Sequence, residues 1–329
     1  MERLKINYQA IDRVLGIFGE TNAEPALRAA YSLSGFLWPL QESIWPEIKY
    51  SFSRLTGDGF PVEFTFSSVT NAISYTTEIA GPETGEAKKI EIASALLQRK
   101  SNALPPVSIS TTISKLVQQP TLTYGAWMAG RHDNGKTDRF KTYLEVTETC
   151  AEIGASFLQR FLPDFSVMKR QHFSLRMLSA NSTGKIEYYF RLSSIDVWQL
   201  LYLMRCLGFA EQGKELLEFV GLLSKRKFDK SFIGDSLGFS VALDEVGLPE
   251  AITIFTFNYK VFEPGDPCIR NSLLRYSDWF GWDFGIYAQI TEPLANKTGR
   301  LTNHGLVAFT ITPDGKKIFQ IGLRPPEIA

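Results

Sequence analysis

The sequence predicts an α+β fold: a ten-stranded antiparallel β-barrel ringed by α-helices and built from five helix-separated β-hairpins. Three observations predict it. Paired stretches of period-two alternation recur along the chain, each pair joined by a short Gly, Asn, Asp or Pro turn. Between the pairs lie stretches with apolar residues at three- and four-residue spacing. The helix-plus-hairpin unit returns at a period of about 60 to 70 residues. Antiparallel hairpins connected through helices can form one sheet with every helix on the same side. Ten strands in an open sheet would leave two edges unpaired, and closure removes both. The 329 residues are read as one such domain, residues 1–329.

The elements follow in order. Helical stretches "YQAIDRVLGIFGE" (8–20) and "EPALRAAYSLSGFLWPLQES" (24–43) open the chain. The first hairpin joins "PVEFTFSSV" (61–69) to "ISYTTEIAG" (73–81), and the helix "AKKIEIASALLQRK" (87–100) follows. "TLTYGAWMAG" (121–130) and "DRFKTYLEV" (138–146) make the second hairpin, before the helix "TCAEIGASFLQRFL" (149–162). The third is "QHFSLRMLSA" (171–180) with "GKIEYYFRLSS" (184–194), leading to helices at 194–210 and 213–227. "DSLGFSVALDE" (235–245) with "EAITIFTFNYK" (250–260) is the fourth. The last runs from "HGLVAFTIT" (304–312) through "PDGK" to "KIFQIGLRP" (317–325).

Alternation assigns side chains to faces. Val62, Phe64 and Phe66 point one way, and Glu63, Thr65 and Ser67 the other. Arg139, Lys141, Tyr143 and Glu145 share a side, as do Lys185, Glu187, Tyr189 and Arg191. Ser174 and Arg176 oppose Phe173, Leu175 and Met177, and Gln320, Gly322 and Arg324 oppose Phe319, Ile321 and Leu323. Gly238, Ser240 and Ala242 leave room beside an aromatic strand carrying Thr253, Phe255, Phe257 and Tyr259. Each strand thus has an apolar side for helices and a side that closure turns inward. Several Lys, Arg and Tyr side chains in one cavity suit a clustered anion such as a diphosphate. An apolar and aromatic wall beside it suits an isoprenoid chain and shields a carbocation.

Composition narrows the function. Lys plus Arg and Asp plus Glu both number 35, so the chain lacks the basic surplus of nucleic-acid or anionic-membrane proteins. Cys150, Cys206 and Cys268 form no disulfide framework or CxxC site, which fits a reducing cytoplasm. The amphipathic N-terminus lacks the apolar core of a signal peptide. His132, His172 and His304 are too scattered for a metal centre, and "AGRHDNGKTDR", with His132, reads as a polar hairpin turn. No P-loop, GxGxxG, GxSxG or Asp-rich DDxxD-type cluster is present.

The five hairpins, with "PVEFTFS", "FKTYLEV", "GKIEYYFRLSS" and "FTITPDGKKIFQIGLRP", resemble the ABBA, or PT-barrel, aromatic prenyltransferases over nearly the whole chain. The likeness is to bacterial indole enzymes, with a cyanobacterial branch as one placement. It implies that Glu63 accepts the indole N–H and is the catalytic base. It implies diphosphate binding by Lys141, Lys185, Arg176, Arg324 and Gln320, with Tyr143, Tyr189, Phe255 and Phe257 shielding the cation. Glu187 departs from the pattern, replacing a cation or amide that would touch phosphate, and Ser74 replaces an Arg. Magnesium-dependent members place an acid near the Glu63 position, so Glu63 or Glu187 is the ligand if Mg²⁺ takes part, and no cofactor is obligatory. The activity implied is transfer of a dimethylallyl or geranyl group from its diphosphate to an indole-type acceptor, releasing pyrophosphate. A phenolic or polyketide acceptor and a non-catalytic ligand-binding barrel are the alternatives. The partners expected are these small molecules, with no nucleic acid and no membrane.

Overall fold

A computed structural model describes residues 9–41, 52–100, 107–135, 137–162, 173–193, 196–225, 237–299 and 301–327. His172 lies outside these residues. Five antiparallel hairpins are present: β1 (Val62–Ser67) with β2 (Thr70–Thr77), and β3 (Ala126–His132) with β4 (Arg139–Glu145). They continue with β5 (Phe173–Asn181) and β6 (Ile186–Leu192), then β7 (Leu237–Leu243) and β8 (Pro249–Phe257). The last is β9 (His304–Ile311) with β10 (Lys317–Leu323). Each hairpin pairs with the next, and β10 returns to β1 through Phe64↔Leu323 and Phe66↔Ile321, closing all ten strands into a barrel.

The core is the annulus between this barrel and its helices. α1 (Gln9–Thr21) turns Ile11, Val14, Leu15 and Phe18 inward, and Phe18 meets the outward rings of Phe64 and Phe66. α2 (Ala23–Gln41) covers β2 and β3, while α3 (Glu86–Lys100) covers β3 and β4 with α4 (Val107–Val117) beside it. α5 (Ala151–Phe161) sets Phe157 against Phe190 of β6. After α6 (Val197–Cys206), α7 (Ala210–Ser224) packs Phe219 on Phe309 of β9. α8 (Asp266–Phe280) and α9 (Gly285–Ile290) complete the ring. None of the described helices is long and apolar enough to cross a membrane.

Several expectations need correction. His132 is not in a turn: it ends β3, faces outward under α2 and is fully buried. Its Nδ1 lies 2.9 Å from Asp138 and its Nε2 3.0 Å from the Ser32 hydroxyl. His304 is held likewise outside the barrel wall, between Asp266 at 2.6 Å and the Tyr287 hydroxyl at 2.7 Å. β3 starts at Ala126 instead of Thr121, because the Glu145 carboxylate accepts the backbone N–H groups of Thr123, Tyr124 and Gly125 at 2.7–2.9 Å. That segment becomes a loop instead of strand. The third correction concerns phase: bulges interrupt β5–β6 between Leu175 and Met177, and β9–β10 between Ile321 and Leu323. After the first, Met177 stands across from Tyr189 on the lumen side, opposite to the expected assignment.

Candidate active site

Closure places Glu63 on the lumen side of β1, across from Thr76 of β2. Its carboxyl group rests on backbone: a Cβ at Gly322 would come within 2.4 Å of it, and one at Gly305 within 2.2 Å. Two strands that lack side chains at these points form its slot. Among the described residues Glu63 has no hydrogen-bond or ion-pair partner. Lumen water can reach it, yet protein encloses it, and this desolvation pushes its pKa from 4.5 up to about 8. Below about 8 the carboxyl keeps its proton, and once ionised its poorly solvated carboxylate is a strong acceptor for an N–H or O–H brought into the lumen.

A second cluster spans β4, β6 and β7. The Lys141 ammonium donates to the Glu187 carboxylate and, at 2.8 Å, to the Tyr189 hydroxyl. Tyr189 donates to Glu187 Oε2 at 2.7 Å, and Ser240 donates to Oε1 at 2.5 Å. Burial by itself would lower Lys141, but Glu187 and Tyr143 outweigh it and raise its pKa. Burial likewise works against Glu187, whose carboxylate Lys141, Ser240 and Tyr189 hold below its ordinary range. Both are therefore charged. The ammonium lies 5.1 Å from the centroid of Tyr143 and 5.3 Å from that of Tyr189, so both π faces already enclose a cation. Tyr189 continues into Phe255 at 5.9 Å, making one aromatic wall.

The remaining predicted residues divide. Gln320 shares a lumen row with Ala308 and Phe255. Phe255 fills the room expected beside Gly238, whose Cβ would lie 1.9 Å from the ring. Phe257 reaches the barrel mouth, 48% exposed and stacked on Tyr259. Lys185 pairs with Glu250 at 2.5 Å near the β5–β6 turn. Arg176, at the bulge, is half-exposed and 3.8 Å from Glu148. Arg324 follows the other bulge and is engaged by Asp58 at 2.8 Å and Glu327 at 3.0 Å over the Phe60 ring. These two arginines are thus drawn towards acids outside the lumen cluster, which strand phase alone could not reveal.

Arg131 was missed. It lies on the lumen side of β3, directly across from Ser74 and beside Arg139. Its Nε is buried without an acceptor, and burial together with Arg139 lowers its pKa. The alternation Trp127, Ala129, Arg131 carried the signal, but the stretch around His132 was read as a turn. A cation therefore stands next to the position where Ser74 lacks one. Trp127, on the same face, donates its indole N–H to Glu78 at 3.0 Å and stacks on Tyr124 at 4.0 Å.

A hard divalent cation needs several oxygen ligands. Glu187 has both oxygens engaged by Lys141, Tyr189 and Ser240, while Glu63 stands apart from it. Among the described residues no group of three or more His, Cys, Asp or Glu side chains gathers as a metal site. The residues present do not fit a protein-held Mg²⁺.

In sequence the chain matches no protein-family model and no curated protein. In structure it is similar to 6-dimethylallyl tryptophan synthase, with a TM-score of 0.75 at 16% identity over 97% of this chain and 98% of that one. A 5-dimethylallyl tryptophan synthase from Streptomyces coelicolor, solved with DMASPP and Trp, gives a TM-score of 0.73 at 14% identity over 97% and 96%. AnaPT from Neosartorya fischeri gives 0.61 at 12% identity over 99% and 94%. The likeness covers nearly all of each chain, bacterial and fungal alike. The chain therefore has the PT-barrel fold, the ten-stranded architecture of the ABBA aromatic prenyltransferases.

Proposed function

We propose that this barrel is an aromatic prenyltransferase that moves a dimethylallyl or geranyl group from its diphosphate to an indole-type acceptor. The observation that carries the reading is Glu63, an unpartnered carboxyl inside a lumen that also holds cations and stacked phenols. In the reaction the allylic C–O bond breaks, the aromatic carbon supplies the electron pair for the new C–C bond, and the ring then loses a proton. Glu63 in its ionised form accepts the indole N–H and makes the ring more nucleophilic, with its carboxylate as the proton acceptor. Lys141, Lys185, Arg131 and Gln320 form the anion pole that stabilises the departing diphosphate. Arg176 and Arg324 join it where a ligand draws them from Glu148 and Asp58. Tyr143, Tyr189 and Phe255 shield the allylic cation from water, and Phe257 borders the entrance. The neighbours solved with a prenyl diphosphate analogue and tryptophan support this pair of ligands.

One observation favours a second reading, a barrel that binds without transferring: Lys141 already has an anion beside it in Glu187. Incubation with dimethylallyl and geranyl diphosphate against indoles and phenols, with and without Mg²⁺, separates the readings. Prenylated indole by mass spectrometry with pyrophosphate release is expected, and tight binding without release would sink the transferase reading. Glu63→Gln is expected to lower turnover far more than donor affinity.

A further inference from the structure

An anion pole inside a protein normally leaves its cations and hydroxyls turned to the ligand. Here the pole carries its own anion. Lys141, Tyr189 and Ser240 all direct their donors at Glu187, and Lys141 and Glu187 are respectively only 27% and 16% exposed, both within the lumen. Lys141 and Tyr143 come from β4, Tyr189 from β6 and Ser240 from β7; β5 contributes the uncharged Ser179, and β8 the uncharged Ala251 and Thr253. Lys185, two residues from Glu187, is turned to Glu250. Among the described residues Glu187 thus faces a single ammonium, that of Lys141, and no second free cation. A polyanion reaching Lys141 would meet the Glu187 charge in an enclosed, weakly screened space, where like charges strongly disfavour joint ionisation.

We propose that Glu187 is a resident counter-anion, and that diphosphate binding at Lys141 and Tyr189 is coupled to uptake of one solvent proton by Glu187. The protonated carboxyl then becomes a donor toward the ligand, and Lys141 is released from it to pair with phosphate. The only bond made at Glu187 is the carboxyl O–H, and the balance is diphosphate ligand plus one solvent proton in, and pyrophosphate plus that proton out. After transfer, loss of that proton restores the ion pair and expels pyrophosphate. The inference rests on the lumen being a diphosphate site.

Calorimetry of inorganic pyrophosphate binding to the full chain, without Mg²⁺ and in buffers of different ionisation enthalpy, tests it. The wild type is expected to take up about one proton more than Glu187→Gln, whose amide cannot ionise. Glu187→Gln is expected to bind pyrophosphate at least ~10-fold more tightly near pH 8, with the difference vanishing in acid. Ser240→Ala, which removes a donor to the carboxylate, keeps the test open should Glu187→Gln fail to fold. It is expected to extend binding to higher pH. Equal proton counts and unchanged pH dependence in these variants overturn the inference and leave the diphosphate site standing. Absence of pyrophosphate binding at every pH in all the proteins overturns both.

Discussion

Glu63 ionises against its surroundings, because burial strips water from the charge that appears when its proton leaves and none of the described residues pairs with it. The folded protein holds that proton more tightly than the unfolded chain does, so its contribution to stability is complete below 4.5 and is lost as pH rises toward about 8. Glu63→Gln removes this loss. The variant is expected to melt higher than wild type under alkaline conditions and to show a flatter dependence of melting temperature on pH. In the transferase reading, kcat/KM should rise with pH through about 8, the range where the free carboxylate forms, and this limb should vanish in Glu63→Gln. An indole N–H bonded to the oxygen favours the charged form, so the kcat limb should lie at lower pH. Lys141 has a different dependence on its partner. Lys141→Ala strands the Glu187 charge and should cost ~3 kcal/mol of stability, measured by denaturant unfolding. Adding Glu187→Gln should recover most of that.

Strands position these groups, and the glycines in β9 and β10 are as specific as the acid they face. Gly322→Ala puts a methyl group where the Glu63 carboxyl sits. It is expected to lower turnover and shift the alkaline limb, while Glu63→Asp, one methylene shorter, restores room in the double variant. Unchanged pH profiles in Gly322→Ala would remove the slot from the account. The period-two pattern made the ten strands readable where lumen residues alternate with apolar outward ones, as in Val62, Phe64 and Phe66 around Glu63 and Thr65. Helices were less readable. α4, "VSISTTISKLV", is rich in β-branched residues and owes its form to packing beside α3, so local preference pointed elsewhere. α8 does carry end signals, Pro267 in its first turn and Gly281 in left-handed conformation after its last. Bulges leave no comparable mark, and one extra residue was enough to misplace Met177 against Tyr189. For the same reason Arg176 and Arg324 could be located on strands but not matched to Glu148 and Asp58, partners that only the folded chain brings near.

For the molecule as a whole, the seam between β1 and β10 decides whether there is a chamber at all. It joins strands more than two hundred residues apart, so its pairing carries a large loop-closure cost unless the intervening sheet is already formed. Ile321 lies on that seam between Phe66 and Val307. Ile321→Pro removes an interior strand N–H and should destabilise the protein by ~3 kcal/mol or more, with loss of soluble folded protein on gel filtration as the readout. Closure was foreseeable from the count of strands and the problem of their edges. Charge balance within the chamber was not, because it depends on which strands become neighbours: Ser74 looked like a missing cation until β3 placed Arg131 across from it. One feature of the chamber wall also supplies light. Trp127 is the tryptophan that the described residues set on the lumen face, whereas Trp38, Trp198 and Trp279 are exposed outside. Its indole is stacked on Tyr124 and tethered to Glu78, so it has a fixed orientation and a distinct emission environment. A molecule entering the barrel should therefore change the protein's own fluorescence, and a Trp127→Phe variant should go dark to the same addition.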